Sequence, residues 1–203
     1  FISTPKQNFN PANLSKPLPL FEIMNAPDLE SIWDQDHQEI SNLFGGDDLF
    51  GGVNPGDRRA LYYLILSLKS SRVLEVGTHI GASTLYIAKA LKRLGKDGQI
   101  ISTDIIDVNN PEGPWKKIGL PCSPRDFTKK LTLDDRVSFR TGPCLSFMQG
   151  TNEQFDFIFL DGDHRARAVY MEVSSALKCL SPGGVIVLHD YFPSAKPLYP
   201  DNN

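Results

Sequence analysis

Short apolar segments alternate with segments of helical periodicity between residues 72 and 190, and this alternation limits the folds open to the chain. The predicted strands are 72–76, 98–105, 135–142, 155–163 and 183–190. The clearest helical segments between them cover 82–94 and the stripe of Val169, Val173, Leu177 and Leu180. Apolar runs of this length indicate buried strands, and strands that alternate with helices form parallel sheets covered on both faces. The sequence predicts an α/β fold with a doubly wound, mainly parallel sheet.

The segment before the first strand has a different composition. Residues 1–27 hold five of the fifteen prolines and are predicted to form an extended arm. Helical stripes predict helices over 28–43, with Asp28 as its cap, and over 57–69. A glycine-rich stretch, GGDDLFGGVNPGD, separates the two. We therefore predict an N-terminal arm and helical segment over 1–53 and a ligand-binding domain over 54–203.

Charge and cysteine content restrict the partners of the chain. A formal net charge of −3 supplies no basic surface for a phosphate backbone, so no nucleic-acid partner is expected. No apolar run approaches the roughly 20 residues that span a bilayer, and the polar, proline-rich start lacks the order of a signal peptide. Cys122, Cys144 and Cys179 are an odd set without CxxC spacing, which is typical of reduced thiols. We expect a cytoplasmic protein without a membrane partner.

The first strand runs into a glycine turn, Glu75-Val76-Gly77-Thr78-His79-Ile80-Gly81. Gly77 and Gly81 allow a tight turn and a close backbone approach, and the following helix then begins with free N–H groups that face the cleft. The pattern is not GxGxxG, because His79 stands at the position of the central glycine. This departure argues against a dinucleotide, whose pyrophosphate needs that close approach.

Two acids stand at the ends of successive strands. Glu75 precedes the glycines and can accept hydrogen bonds from an ammonium group or face a sulfonium, while Asp104 ends the second strand, where an acid usually binds ribose hydroxyls. Each acid alone can equally be a strand-end carboxylate that faces water. Their joint placement around the glycine turn favours a ligand that carries both a positive charge and a ribose.

Four segments together resemble class I S-adenosylmethionine (SAM) methyltransferases: VLEVGTHIGASTLYIAKAL, ISTDI, FDFIFLDGDH and LSPGGVIVLHD. They are most similar to the small-molecule O-methyltransferases related to catechol O-methyltransferase and to the macrolide-sugar and aminocoumarin methyltransferases. The resemblance covers residues 54–193 and implies a Rossmann-like fold with SAM as the cofactor. It also implies which residues line the SAM pocket, with the last two near the adenine: Glu75, Gly77, Thr78, Gly81, Ser83, Asp104, Gly142 and Pro143.

Acids and imidazoles also follow the fourth and fifth strands, in Asp161-Gly162-Asp163-His164 and in His189-Asp190. Adjacent parallel strands lie about 4.8 Å apart, so these side chains can converge over one cavity. A hydroxyl acceptor needs a general base or a metal before it attacks a methyl group. Carboxylates with an imidazole suit a divalent cation such as Mg²⁺.

The resemblance assigns roles to these residues. It implies a cation held by Asp161, His189 and Asp190, although the usual pair at the last two positions is Asp-Asn or Asp-Asp and imidazole is softer than Mg²⁺ prefers. His189 is alternatively a base, or a histidine without either role. The base position of the relatives falls on Asp163 or His164, and either residue can instead cap the helix that follows.

The resemblance further implies two strands after the fifth, so we expect a domain that is incomplete at its C-terminus. Because a bare edge strand invites pairing, a covering segment or a homo-oligomer contact is expected there. The predicted function is O-methylation of a small hydroxylated metabolite by SAM, assisted by Mg²⁺. N-methylation without a metal is a related prediction. The alternative is a degenerate SAM-binding domain that acts through assembly.

Overall fold

The computed structural model describes residues 20–24, 27–45, 52–95 and 97–190. The helices of this part are α1 Leu20–Met24, α2 Pro27–Phe44, α3 Pro55–Leu68, α4 Ala82–Arg93, α5 Pro114–Lys117, α6 Pro124–Lys130, α7 Cys144–Gly150 and α8 Ala166–Cys179. The strands are β1 Arg72–Val76, β2 Gln99–Asp104, β3 Val137–Thr141, β4 Phe155–Leu160 and β5 Leu180–Leu188. From β1 onward, strands and helices alternate along the chain.

The five strands form one sheet in the order β3-β2-β1-β4-β5, and every neighbouring pair is parallel. The chain winds outward from β1 to β3 and then returns to the other side of β1 to form β4 and β5. The switch point therefore lies between β1 and β4, and ligands of such sheets bind outside the carboxyl ends of the strands at that point. The predicted α/β fold is confirmed, with a sheet that is wholly parallel in the described residues.

The core consists of two clusters, one on each face of the sheet. Val73 and Phe157 face the cluster formed with α2, α3 and α4, whereas Leu74 and Ile158 face the cluster formed with α7 and α8. This alternation follows from the two-residue period of a strand, which sends successive side chains to opposite faces. By the same period, Glu75 lies on the face covered by α4.

Helix α2 packs on this domain through a buried acid. Asp36 accepts hydrogen bonds from the guanidinium of Arg93 at 2.9 and 2.8 Å and from the hydroxyl of Tyr62 at 2.6 Å. Trp33 stacks on Tyr86 of α4 with ring centroids 5.0 Å apart. The packing joins α2 to the core of β1, although the division of the chain into 1–53 and 54–203 stays a prediction.

The N-terminal predictions need two corrections. Leu20–Met24 is a helix rather than part of an extended arm, and Pro27 already begins α2, whereas residues 1–19 and 25–26 of that arm lie outside the described residues. Asp28 lies inside the first turn of α2 behind Pro27, so it is not the residue that precedes the helix. An acid in the first turn still interacts favourably with the helix dipole, which explains why its position in the sequence suggested a cap.

The C-terminal half corrects the strand and helix limits. Helix α8 ends at Cys179, and Leu180, the last residue of the predicted helical stripe, begins β5 and pairs with Phe155. The fifth strand therefore covers Leu180–Leu188 rather than 183–190. Short helices α5 and α7 were missed, because four to seven residues carry too little periodicity to be recognised. β5 is an edge of the described sheet, and the expected cover of that edge lies outside the described residues.

Candidate active site

The turn between β1 and α4 sits directly against the end of β4. Gly77 has a φ of +96°, and a Cβ there would lie 2.0 Å from the carbonyl oxygen of Asp161. Gly81, with a φ of +79°, is the N-cap of α4, and its Cβ would lie 2.9 Å from Cβ of Pro124. Both positions therefore require glycine for backbone conformation and for space. The close approach brings the N-terminus of α4 to the switch point of the sheet.

Glu75 is fully buried beneath this turn. Its carboxylate accepts hydrogen bonds from the hydroxyls of Ser83 and Ser102, each at 2.5 Å, and from Thr84. Burial raises the pKa of Glu75 to about 7, and the three hydroxyl donors oppose that rise. Thr78 joins the network, with its hydroxyl 2.6 Å from that of Ser102. Three predicted pocket residues, Glu75, Thr78 and Ser83, thus form a buried network that supports the turn.

Asp104 ends β2 and fixes the same turn from the other side. Its Oδ2 accepts the backbone N–H of His79 at 2.9 Å, and its Oδ1 accepts that of Ile106 at 3.2 Å. Its own carbonyl accepts the N–H of Gly142 at 2.8 Å. Gly142 has a φ of +126°. Among the described residues, no atom lies within 4 Å of a Cβ placed there. Pro143 follows as the N-cap of α7. The predicted pocket residues therefore follow three adjacent strands.

The acids after β4 and β5 converge at the opposite side of the switch point. The backbone N–H of Asp161 donates to Val76 at 2.8 Å, and that of His189 donates to Leu160 at 3.0 Å, so both residues extend the sheet by one position. Nδ1 of His189 lies 2.8 Å from Oδ1 of Asp161 and 3.5 Å from Oδ2 of Asp190. Nδ1 of His164 lies 3.5 Å from the same Asp190 oxygen.

A further carboxylate, which was not among the predicted site residues, reaches this cluster from α3. Oδ2 of Asp57 lies 3.0 Å from Nε2 of His189, across 132 positions of the sequence. Asp57 also belongs to the cap of α3, where its N–H donates to the side chain of Asn54. The cap pattern of Asn54, Pro55 and Asp57 is visible in the sequence, whereas the contact with His189 depends on how α3 packs.

The surrounding carboxylates change the acidity of His189. Its contact with Asp161, and secondarily the charge of Asp190 and the contact with Asp57, raise the pKa of His189 to about 9, while partial burial opposes the rise. Without a cation, the ring therefore carries a positive charge near neutral pH. A protonated ring and a divalent cation both compensate the negative charge of Asp161 and Asp190, so they are alternatives at one site.

The donor atoms fit a divalent cation. Single ligand atoms of Asp161, His164 and Asp190 lie within 4.8 Å of one another, and all three residues are half-buried. Nδ1 of His189 is buried and, within the described residues, has no partner in hydrogen-bond geometry although it lies at ion-pair distance from Asp161. The structure thus brings together the three predicted ligands, Asp161, His189 and Asp190, and adds His164 to them. Two carboxylates with imidazole nitrogen are a common donor set for divalent ions.

The Asp163 carboxylate is engaged by Arg165. It accepts the backbone N–H of Arg165 at 3.0 Å, pairs with the guanidinium of the same residue and lies just before α8. Hydrogen bonding to Arg165 lowers the pKa of Asp163 below its ordinary value. A carboxylate held in this way is a weak base. Arg165 is the N-cap of α8 and no side-chain cap hydrogen bond is present there, so neither Asp163 nor His164 caps the helix. His164 and His189 are the imidazoles near the acids.

A family model described as a methyltransferase domain matches residues 74–191. The chain belongs to this methyltransferase family. Its catechol O-methyltransferase relative from Niastella koreensis is 27% identical over 150 residues, which are 72% of this chain and 61% of that protein. The probable caffeoyl-CoA O-methyltransferase 1 of Dictyostelium discoideum is 23% identical over 145 residues, which are 69% of this chain and 56% of the relative. The chain thus spans little more than half the length of that relative.

A solved structure agrees with the family assignment. The O-methyltransferase from Bacillus cereus, in complex with SAH, has a TM-score of 0.55 and 27% identity, covering 79% of this chain and 64% of that one. The methyltransferase resemblance predicted from the sequence is confirmed by these matches. No helix in the described part of the chain combines the length and apolar character that a bilayer crossing requires.

Proposed function

We propose that this methyltransferase domain binds SAM and transfers its methyl group to a hydroxyl of a small molecule. The observation that carries the proposal is the convergence of Asp161, His164, His189 and Asp190 beside the glycine turn of β1 and α4. A methyl donor held at the turn would face acceptor-activating groups across the switch point. The names of the matched relatives, catechol O-methyltransferase and probable caffeoyl-CoA O-methyltransferase, support an O-methyltransferase.

The cofactor side of the proposal rests on three strand ends. Asp104 would accept ribose hydroxyls in addition to the N–H of His79, and the adenine would lie at Gly142 and Pro143, where a Cβ on Gly142 would meet no described atom within 4 Å. Gly77 and Gly81 allow the backbone to approach the amino-acid portion of SAM, and Glu75, Thr78 and Ser83 stabilise that backbone from beneath. The solved Bacillus cereus relative contains SAH, which supports a ligand of this class.

On the chemical side, the protein has to align the acceptor and remove its proton. A cation held by Asp161, Asp190 and imidazole nitrogen would lower the pKa of a hydroxyl bound to it. His164 is the better candidate for the base, because its imidazole borders Asp190 while Asp163 is committed to Arg165. His189 lies between Asp57 and Asp161, and this fixed position suits a cation ligand better than a base.

The class of acceptor, the cellular location and the oligomeric state belong to the same proposal. A net charge of −3 supports a small-molecule acceptor and no nucleic-acid substrate. The cysteines of the described residues, Cys122, Cys144 and Cys179, are free thiols, which supports a cytoplasmic location. A homo-oligomer contact at the β5 edge stays a prediction.

Calorimetric titration with SAM and S-adenosylhomocysteine, with NAD as the control, tests the proposal. We expect micromolar binding of the first two ligands and none of NAD. An acceptor screen with a radiolabelled methyl group, over catechols and caffeoyl thioesters with Mg²⁺ or a chelator, then tests the transfer. A folded sample that binds neither SAM nor S-adenosylhomocysteine would contradict the proposal. Transfer that survives chelation would show that the cation is dispensable.

A further inference from the structure

The imidazole of His189 is held from both sides. On one side Nε2 lies 3.0 Å from Oδ2 of Asp57, a residue of the first turn of α3. On the other side Nδ1 faces Oδ1 of Asp161 at 2.8 Å and Oδ2 of Asp190 at 3.5 Å. The side chain of His189 is 17% exposed, so solvent has little part in fixing its orientation.

The contact with Asp57 determines which nitrogen of His189 is available to a metal ion. A carboxylate only accepts hydrogen bonds, so Nε2 of His189 carries the hydrogen that it donates to Asp57. In the neutral ring the lone pair is then on Nδ1, the buried atom that has no partner in hydrogen-bond geometry among the described residues. Nδ1 lies 2.8 and 3.5 Å from two carboxylate oxygens, and a cation bound by all three atoms would stabilise this arrangement.

The distances suit such a cation. Neighbouring ligands of an octahedral ion with bonds of about 2.1 Å lie about 3 Å apart. The separations of Nδ1 from the two carboxylate oxygens, 2.8 and 3.5 Å, lie on either side of that value. A histidine ligand whose other nitrogen donates to a carboxylate is a recurrent arrangement, because the carboxylate fixes the ring and increases its basicity.

We infer that Asp57 is a positioning residue that directs Nδ1 of His189 onto a cation shared with Asp161 and Asp190, and that this site prefers Mn²⁺ to Mg²⁺. The inference rests on the proposed function, since it concerns the cation of the same site. The preference follows from the donor set, because imidazole nitrogen suits first-row transition ions and oxygen-only sites suit Mg²⁺. Through its contact with His189, Asp57 links the first turn of α3 to the proposed cation site at the ends of β4 and β5.

Metal titration of the purified chain provides the first test. Calorimetry with Mn²⁺ and with Mg²⁺ is expected to show tighter binding of Mn²⁺. Asp57→Ala is expected to weaken Mn²⁺ binding about 10- to 100-fold, as is usual when the outer partner of a histidine ligand is removed. Asp57→Asn, which keeps the size of the side chain, is expected to weaken it less and guards against a folding defect.

The chain offers a matched control in Asp126. It has the same place in α6 that Asp57 has in α3: its N–H donates to the N-cap side chain, and a proline follows the N-cap. Asp126→Ala therefore removes an equivalent first-turn acid without touching the cluster and should leave Mn²⁺ affinity unchanged. Equal affinities of the Asp57→Ala and Asp126→Ala variants would overturn the role of Asp57.

Pulsed electron paramagnetic resonance of bound Mn²⁺ identifies the nitrogen ligand. We expect a coupling from imidazole nitrogen that His164→Asn retains and His189→Asn abolishes. Absence of any nitrogen coupling, a coupling that disappears only with His164→Asn, or no Mn²⁺ binding would overturn the inference. SAM titrations of the same samples without metal separate the two proposals: SAM binding without the expected metal behaviour rejects the inference alone, and absence of SAM binding rejects the proposed function.

Discussion

The two sides of the switch point treat their acidic residues differently. At the ends of β1 and β2, Glu75 and Asp104 are satisfied by hydroxyls and backbone amides of the same region of the chain. At the ends of β4 and β5, Asp161 and Asp190 face imidazoles, and the partner Asp57 comes from a distant helix. The first side is organised without a ligand, whereas on the second side Nδ1 of His189 is buried and, in the part of the chain that the structure describes, has no partner in hydrogen-bond geometry.

This difference matches the two functions proposed for the site, which are binding of the cofactor and activation of the acceptor. A surface whose donors and acceptors are already paired holds its shape and binds a cofactor with little reorganisation. The carboxylates and imidazoles of the second side instead have an excess of negative charge, which a bound cation or a proton compensates. We therefore expect substitutions on the first side to change cofactor affinity and stability, and substitutions on the second side to change turnover.

The largest expected effect is that of Asp161→Ala. Loss of this carboxylate removes a cation ligand and the main partner of His189, so turnover should fall about 10²- to 10⁴-fold, the range of a lost acid–base or electrostatic contribution. SAM affinity should stay within about threefold, because Asp161 lies on the second side. Steady-state kinetics and calorimetry measure both quantities. Full activity of the variant would contradict a role of the second side in the reaction.

Glu75→Gln tests the first side of the site through the pH dependence of stability. Because the pKa of Glu75 is raised to about 7 from 4.5, its contribution to stability is fully present below about pH 4.5 and is lost as the pH rises through about 7. The loss amounts to about 3 kcal/mol of the free energy of unfolding. Glutamine does not titrate, so this part of the pH dependence should disappear. Urea unfolding of both proteins at pH 5 and pH 8 measures the difference, and parallel pH profiles would contradict it.

A smaller effect is expected for Asp104→Ala. Its carboxylate is the acceptor proposed for the ribose hydroxyls, and a hydrogen bond to a charged group contributes roughly 1.5–3 kcal/mol, which corresponds to about a 10- to 100-fold loss of SAM affinity. Saturating SAM should restore most of the turnover. A large fall in kcat at saturating SAM, with unchanged SAM affinity, would contradict the proposed separation of cofactor binding from turnover.

The smallest effect is expected for Asp163→Asn. Because the Asp163 carboxylate is committed to Arg165, its loss should lower kcat less than about tenfold. His164→Asn is the matched comparison and should lower kcat by a larger factor, since His164 borders Asp190. Single-turnover kinetics of the two variants decides between them. A larger defect for Asp163→Asn would return the role of base to Asp163.

The turn on the paired side of the site was accessible to sequence reasoning because its residues are close together in the sequence. Glu75 and Ser83 are eight positions apart, and the turn between them needs glycine at 77 and 81 for reasons of backbone geometry alone. The β1 limits agree with the prediction, since a run of apolar residues bounded by polar ones defines a buried strand. Even there, the sequence did not show that Glu75 is enclosed by three hydroxyls rather than open to the cleft.

The sequence by itself determined the α/β alternation, the glycine turn and the acids that follow the strands, because periodicity and backbone conformation are local properties. Tertiary structure alone decided that Asp57 meets His189, that His164 joins the acids and that Asp163 turns to Arg165. These contacts depend on the packing of α3 and on the direction of each loop after its strand. Such contacts between distant residues leave no periodic signal, since they arise only when the sheet brings separate strand ends to one edge.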